Sequence, residues 1–258
     1  MNAASEPAVV GQLTRTASAQ GAMLKRFLAY LDRIQYRRVT CGEALEEGAR
    51  LRYKSYLQNS LVTRNETRQI IDQYDGDANA YIFGVYLDEE LVATIRLHHA
   101  SKAFPRSPAM EMYSDILMPR LEAGDSYIDP SKLAVDPDIV SGSIMIPTVT
   151  MRLAYVACRY LQVPYYITML RDDHEVFYKK MFGFYRIAEA RDYKGAVNCS
   201  VPLYEGDIAR FGATTVERFP FFQFTEAEGR MLFERPVVGA GAPLSILPSA
   251  KYLIGEPA

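Results

Sequence analysis

The chain has 258 residues, 49% of them hydrophobic and 23% charged, which suits one globular domain with added segments or two small domains. Its formal net charge of -2 leaves no basic excess, so duplex nucleic acid is not favoured as the main partner. Three scattered cysteines (Cys41, Cys158, Cys199) form no CxxC pair, no apolar run reaches the ~20 residues of a membrane helix, and no signal peptide opens the chain, which points to a reduced cytoplasmic protein.

Residues 1–20 are small, polar and patternless and read as a flexible tail. From Ala22 to Gln35, Leu24, Phe27, Leu28, Leu31 and Ile34 recur at helical spacing, and Tyr36–Thr40 reads as a short strand. A second helix is expected over Gly42–Gln58, followed by a polar, acidic loop over Leu61–Asn79. Tyr81–Leu87 and Leu91–His98 flank Asp88-Glu89-Glu90 as a hairpin. His99–Asp125 holds three prolines and reads as an excursion over the surface. Tyr127–Val135 is the next strand, and Ser141-Gly142-Ser143 opens a long helix to about Leu161. Tyr165–Leu170 is a buried strand, and Asp172 and Asp173 can cap a short helix over His174–Met181. Phe184–Ala190 and Val197–Leu203 form a last strand pair. The domain thus spans 21–210, and the Phe/Pro/Gly-rich extension 211–258 is expected to have little structure of its own, with Phe219, Phe221, Phe222 and Phe224 packing on the core or on a partner.

This mixed α/β (α+β) order lacks a GxGxxG loop, so it is not a doubly wound dinucleotide fold. Four stretches carry a more specific pattern: Leu51-Arg52-Tyr53-Lys54-Ser55-Tyr56, Asp72-Gln73-Tyr74-Asp75, Thr94-Ile95-Arg96-Leu97, and Asp129-Pro130-Ser131-Lys132-Leu133-Ala134-Val135. Their order and spacing resemble the acyl-carrier-protein-dependent N-acyl amino acid synthases and the related acyl-homoserine-lactone synthases of the GNAT superfamily. A fifth stretch, Phe177-Tyr178-Lys179-Lys180-Met181-Phe182-Gly183-Phe184 with Tyr193 and Gly195-Ala196-Val197-Asn198, is similar to the amino acid synthases in particular. The resemblance covers roughly Tyr36 to Leu203 and implies a GNAT-like fold, a central mixed sheet with splayed strands flanked by helices. It also implies transfer of a fatty acyl group from the acyl-phosphopantetheine of acyl carrier protein to the amine of an amino acid or similar small amine, with no tightly bound cofactor.

Departures bear on this reading. The chain has no tryptophan, which the lactone synthases usually carry after the arginine helix, and Asp129 and Lys132 stand where those enzymes have glutamate and arginine. Val140-Ser141-Gly142-Ser143-Ile144-Met145 replaces the acetyl-CoA pyrophosphate loop, which fits a carrier-protein donor. The alternatives are an acyl-homoserine-lactone synthase taking S-adenosylmethionine, a CoA-dependent N-acetyltransferase, and a binding module without catalysis.

Acyl transfer to an amine requires a neutral amine, a destination for its proton, and stabilisation of the oxyanion and thiolate. Asp129 either orients or deprotonates the amine, or starts a strand and caps the turn before Pro130. In a regular strand Asp129 and Lys132 point oppositely; a bulge near Pro130 turns both toward one cleft and frees a backbone N–H for the thioester oxygen. Asp72 and Asp75 either bind the acceptor's ammonium or hold Arg52 and Arg96, or are solvated turn residues. Of Arg52 and Arg96, one can grip the acceptor's carboxylate while the other is a scaffold ion pair. Tyr178 is a candidate acid for the thiolate or a packing residue, and His98 shares a strand face with Arg96 as an alternative base or a structural hydrogen-bonder. The amides of Ser141, Gly142 and Ser143 either bind the pantetheine arm or form an ordinary cap. The three histidines lack metal-ligand spacing, so no metal is proposed.

Overall fold

The amphipathic first helix, α1 (21–31), ends before its periodicity does, because Ile34 and Tyr36 alternate inward on a strand instead of continuing the helical stripe. That strand, β1 (Ile34–Arg38), starts two residues earlier than expected. In the computed structural model, residues 21–39, 42–139, 144–193, 197, 199–234 and 244–254 are described. The expected tail 1–20, Thr40, and the Ser141-Gly142-Ser143 opening of the long helix lie outside them.

Helix α2 (Gly42–Gln58) leads through a loop into β2 (Ala80–Leu87) and β3 (Glu90–Ala100). The hairpin between them turns on Asp88 and Glu89, both at positive φ (49° and 71°), while Glu90 already belongs to β3. The Pro-bearing stretch 99–125 is not an excursion. It contains α3 (Pro108–Met112) and α4 (Ser114–Glu122). Pro108 sits in the first turn, where its missing N–H costs nothing, and the Ser107 hydroxyl accepts from the Met110 amide at 3.2 Å. Met110, Tyr113, Leu117 and Leu121 bury this pair against the sheet.

Strand β4 (Tyr127–Val135), helix α5 (Met145–Tyr160) and strand β5 (Tyr165–Met169) follow. A 3-10 turn over Asp172–His174 precedes α6 (Glu175–Phe182); neither Asp172 nor Asp173 supplies the expected side-chain cap. Strands β6 (Tyr185–Asp192) and β7 (Ser200–Asp207) complete this half. The described part of the C-terminal extension is structured, contrary to expectation: α7 (Ile208–Arg218), α8 (Glu226–Phe233), β8 (Ser245–Ile246) and α9 (Ala250–Ile254). Phe219, Phe221 and Phe222 are buried in the same cluster as α1 and α5, and Phe224 packs at its edge. Arg152 of α5 clamps this segment from within the core. It donates to the Phe221 and Gln223 carbonyls and pairs with Glu228, whose carboxylate also accepts from the Ser249 amide and hydroxyl.

The strands form one eight-stranded sheet in the order β6-β7-β5-β4-β3-β2-β1-β8. The pairing is antiparallel except between β4 and β5, which run parallel. One face carries α1, α5, α6 and the extension; the other carries α2, α3 and α4. Among the described residues no helix is long and apolar enough to cross a membrane.

Two irregularities prepare a site. β4 and β5 pair only through Tyr127↔Tyr165 and Ile128↔Tyr166, and then diverge. On its other side β4 loses register with β3 between Arg96↔Ser131 and Thr94↔Ala134, so that Lys132 and Leu133 stand opposite Ile95 alone. Lys132 takes the left-handed conformation there, with φ 50°. Both lie in the same stretch of β4.

Candidate active site

Side chains alternate along a strand, so Arg96 and His98 of β3 share a face with their cross-strand partners Ser131 and Asp129 of β4. The bulge brings Lys132 back to that face too. Its Nζ lies 3.1 Å from Asp72, the same carboxylate that receives Arg96 at 2.5 Å. The α2 face and the loop before β2 supply the other wall: Asp75 takes Arg52 Nη1 at 2.9 Å and Arg96 Nη1 at 2.9 Å. Arg52, Arg96, His98 and Asp129 are essentially unexposed. Tyr56 places its ring 5.9 Å from the Lys132 ammonium. Tyr193, from the segment after β6, is within electrostatic reach of Asp72, Arg96 and Asp129, and burial pushes its hydroxyl up to about 12.

These charges do not behave alike. Burial opposes ionisation of Asp72, yet Arg96 and Lys132 together hold its carboxyl well below the ordinary range. Burial lowers Lys132 despite Asp72. Asp129 goes the other way: burial outweighs Ser107, the Ala109 amide and Arg96, and raises it to about 6. His98 is lowered to about 4, by burial first and Arg96 second, so it is neutral at physiological pH. A carboxyl poised near neutrality in a buried site is suited to proton transfer.

The unpaired atoms complete the picture. Arg96 spends all three of its nitrogens, on Ser131, Asp72 and Asp75. Arg52 spends Nη1 on Asp75 and the Ile70 carbonyl, while its Nε and Nη2 are buried without a partner. One oxygen of Asp129 accepts from the Ala109 amide at 2.9 Å; the other is buried and unpaired, as are both ring nitrogens of His98. Buried polar groups are almost always satisfied, so Arg52, His98 and Asp129 keep hydrogen-bonding capacity that no described protein atom uses.

Of the residues singled out from sequence, Asp129, Lys132, His98, Arg52, Asp72, Asp75 and Arg96 converge on this one face. Tyr178 does not. It sits on α6, on the α5 side of the sheet, stacked on Phe184 at 5.6 Å with its hydroxyl raised to about 12 by burial. Ser141, Gly142 and Ser143 lie outside the described residues. Four residues of the site carry no sequence signal of their own: Tyr56 and Ser131 lie inside the recognised stretches, Asp77 two residues past one, and Ser107 in the segment expected to be a surface excursion. A cavity of about 470 Å³ opens past the end of β5, lined by Ser60, Leu61, Arg171, Asp173, Cys199 and Ser200 among others. The Val197 amide donates to the Leu61 carbonyl there at 2.8 Å, tying the segment before β7 to the end of α2. A second cavity of about 510 Å³ runs along β6 beside Ile116, and neither cavity is lined by a side chain of the polar face.

Comparison with known proteins agrees with this fold. The family model for the N-acyl amino acid synthase FeeM matches residues 47–207, a span that contains every described side chain of the polar face. Among solved structures, that of FeeM, an N-acyl amino acid synthase from uncultured soil microbes, superposes with a TM-score of 0.61 at 15% identity, covering 72% of this chain and 98% of FeeM. TofI, solved with an inhibitor and MTA, gives 0.51 at 16% identity over 76% of this chain and 98% of its own. BjaI, a CoA-dependent acyl-homoserine lactone synthase solved with MTA, gives 0.50 at 16% identity over 72% and 89%. At such identities the likeness is one of fold. No curated protein matches the chain in sequence.

Proposed function

Because the chain belongs to the N-acyl amino acid synthase FeeM family, and is therefore an N-acyltransferase, we propose that it moves a long-chain fatty acyl group from an acyl carrier protein thioester to the amine of an amino acid. The observation that carries the acceptor is the chemistry of the unpaired buried atoms: two guanidinium donors on Arg52 and one carboxylate oxygen on Asp129. Donors for a carboxylate and an acceptor for an ammonium are the complement of a zwitterion. Arg96, saturated by the loop and Ser131, is the scaffold arginine; Arg52 binds the carboxylate.

In this reading the acyl-phosphopantetheine arm enters where β4 and β5 diverge, which puts its thioester beside the bulge. Asp129 takes a proton from the acceptor's ammonium, and the neutral amine attacks the thioester carbon. Lys132 and the interrupted ladder at the bulge stabilise the oxyanion, in a buried setting where such interactions are strong. The C–S bond breaks as the second amine proton passes to the thiolate. Tyr178 is a packing residue of the α6 aromatic cluster. The carrier-protein donor is supported by the sequence at 140–145, which has no pyrophosphate loop.

The test is incubation of the purified chain with long-chain acyl carrier protein or acyl-CoA, a pool of amino acids and S-adenosylmethionine, with products read by mass. S-adenosylmethionine belongs in the pool because it carries the same amino-acid end. The expected product is an acyl amino acid formed from the carrier-protein donor. An acyl lactone, or no amide with any acceptor, refutes the reading.

A further inference from the structure

Proton balance sets a requirement that Asp129 and Lys132 do not meet by themselves. An amino acid arrives as an ammonium, so the reaction is R–NH₃⁺ plus R′CO–SR″ giving R′CO–NHR, HS–R″ and one free H⁺. The N–C bond forms and the C–S bond breaks. Of the two protons nitrogen loses, one stays on the thiol and one must leave a face where Asp129 is only 1% exposed. Asp129 cannot hand that proton directly to solvent.

His98 is the cross-strand partner of Asp129, and the Cβ atoms of such pairs lie about 5 Å apart. Its ring is wholly buried and neither nitrogen makes a well-formed hydrogen bond, although the Asp77 carboxylate and the Tyr74 backbone lie close enough to favour its charged form. Asp77 approaches the ring: Oδ2 is 3.4 Å from Nε2, longer than a well-formed hydrogen bond. Asp77 is in turn gripped by Arg106, whose Nε donates to both carboxylate oxygens at 2.9 Å. The Arg106 side chain is 47% exposed, so this carboxylate connects the buried ring to water. Tyr74 packs against the ring: it meets His98 edge-on at 6.0 Å, lies under the Arg106 guanidinium at 4.9 Å, and is anchored by a hydroxyl bond to Glu111. The charged and titratable groups facing His98 are thus Arg96 from β3, Asp129 from β4, and Tyr74 and Asp77 from the loop, with Arg106 and Glu111 behind the last two.

Resting on the reading under Proposed function, we propose that His98 and Asp77 form the exit path for the released proton, from Asp129 to His98 and on to solvent at the Asp77–Arg106 pair. Asp77 is a positioning residue: its carboxylate, 3.4 Å from Nε2, favours the tautomer with hydrogen on that nitrogen, so that Nδ1 is the nitrogen that receives the proton from Asp129, directly or across one water. The Nε2 proton then passes to Asp77 and to bulk. This is the logic by which a carboxylate fixes the tautomer of a general base, built here across a sheet and a loop.

The chain has three histidines, so ¹⁵N-histidine NMR resolves the point, with His98→Gln assigning the signal. The wild type is expected to show His98 as the neutral Nε2–H tautomer, and Asp77→Asn to lose that preference. The same variant is expected to lower kcat about tenfold or more, with the acceptor KM within about twofold and the melting temperature nearly unchanged. Asp77→Glu should recover part of kcat. An Nδ1–H tautomer in the wild type, or an Asp77→Asn variant with wild-type kcat, overturns the path while leaving the acyl transfer intact. A wild-type chain that makes no acyl amide at all overturns the transfer itself, and the path with it.

Discussion

Asp129→Asn separates what the site does from what it costs. The carboxyl titrates at about 6 in the fold against an ordinary 3.8, with burial as the main cause. A group whose folded value is raised stabilises the protein fully below its unfolded value, and that contribution is lost as pH rises through the folded one. At about 1.4 kcal/mol per pH unit, the gap amounts to about 3 kcal/mol, of which about 2 falls between pH 4.5 and 7.5. Asparagine keeps the shape and can still accept from the Ala109 amide, but it does not ionise. The variant should therefore gain about 2 kcal/mol relative to wild type between those two pH values. It should also lose about a hundredfold or more in kcat. Urea denaturation of both proteins across this range measures the first, and steady-state acylation the second. Other titrating groups, His98 included, are common to both chains and drop out of the difference. A difference that stays flat with pH shows that Asp129 ionises as freely as a surface carboxylate, and the proton-transfer role assigned to it falls.

The other predictions test neighbouring parts of the argument. Arg52→Lys loses the two-pronged edge while keeping the charge, so the amino acid KM should rise about tenfold or more with kcat changed far less; the opposite split removes Arg52 from acceptor binding. Glu228→Ala leaves Arg152 as an uncompensated buried charge and should cost about 3–5 kcal/mol in urea denaturation, whereas a loss below about 1 kcal/mol makes the C-terminal segment an appendage. Tyr178→Phe removes only a hydroxyl within an aromatic stack, so kcat should stay within about twofold at all pH values; a large drop in kcat with stability unchanged gives that hydroxyl a role in protonating the thiolate.

How much of this was legible depended on whether the signal was local. The α2 and β2–β3 boundaries follow from periodicity and turn residues, and they came out within a residue or two. The extension was misread although its start signals are local ones. Thr225-Glu226-Ala227-Glu228 is a capping-box sequence, and the Thr225 hydroxyl does accept from the Glu228 amide; the surrounding Phe, Pro and Gly content masked it. Prolines masked α3 and α4 in the same way, since Pro108 reads as a breaker unless it is recognised as the first helical residue. The site divides likewise. Asp72, Asp75, Arg96 and Asp129 lie in short recognisable stretches. Asp77 follows Asp75 by two residues, but its significance comes from His98 on β3, and that pairing depends on how the loop folds back over the sheet.

The bulge at Lys132 is where sequence, strain and function meet. Pro130 lies where β4 must serve two neighbours, β3 along most of its length and β5 only at its start. A regular strand would send the Lys132 side chain to the α5 face, into apolar packing with no counter-charge. Placing Lys132 at φ 50° costs of order 1–3 kcal/mol for a residue with a Cβ, and glycine would avoid that cost. Glycine would also give up the ammonium that reaches Asp72. The strain is therefore the condition for a cation on the same face as Asp129, beside a ladder already interrupted and a strand pair already parted. A β4 with regular register would keep Asp129 in place and lose Lys132 from the site, leaving the proposed proton acceptor without the proposed oxyanion charge.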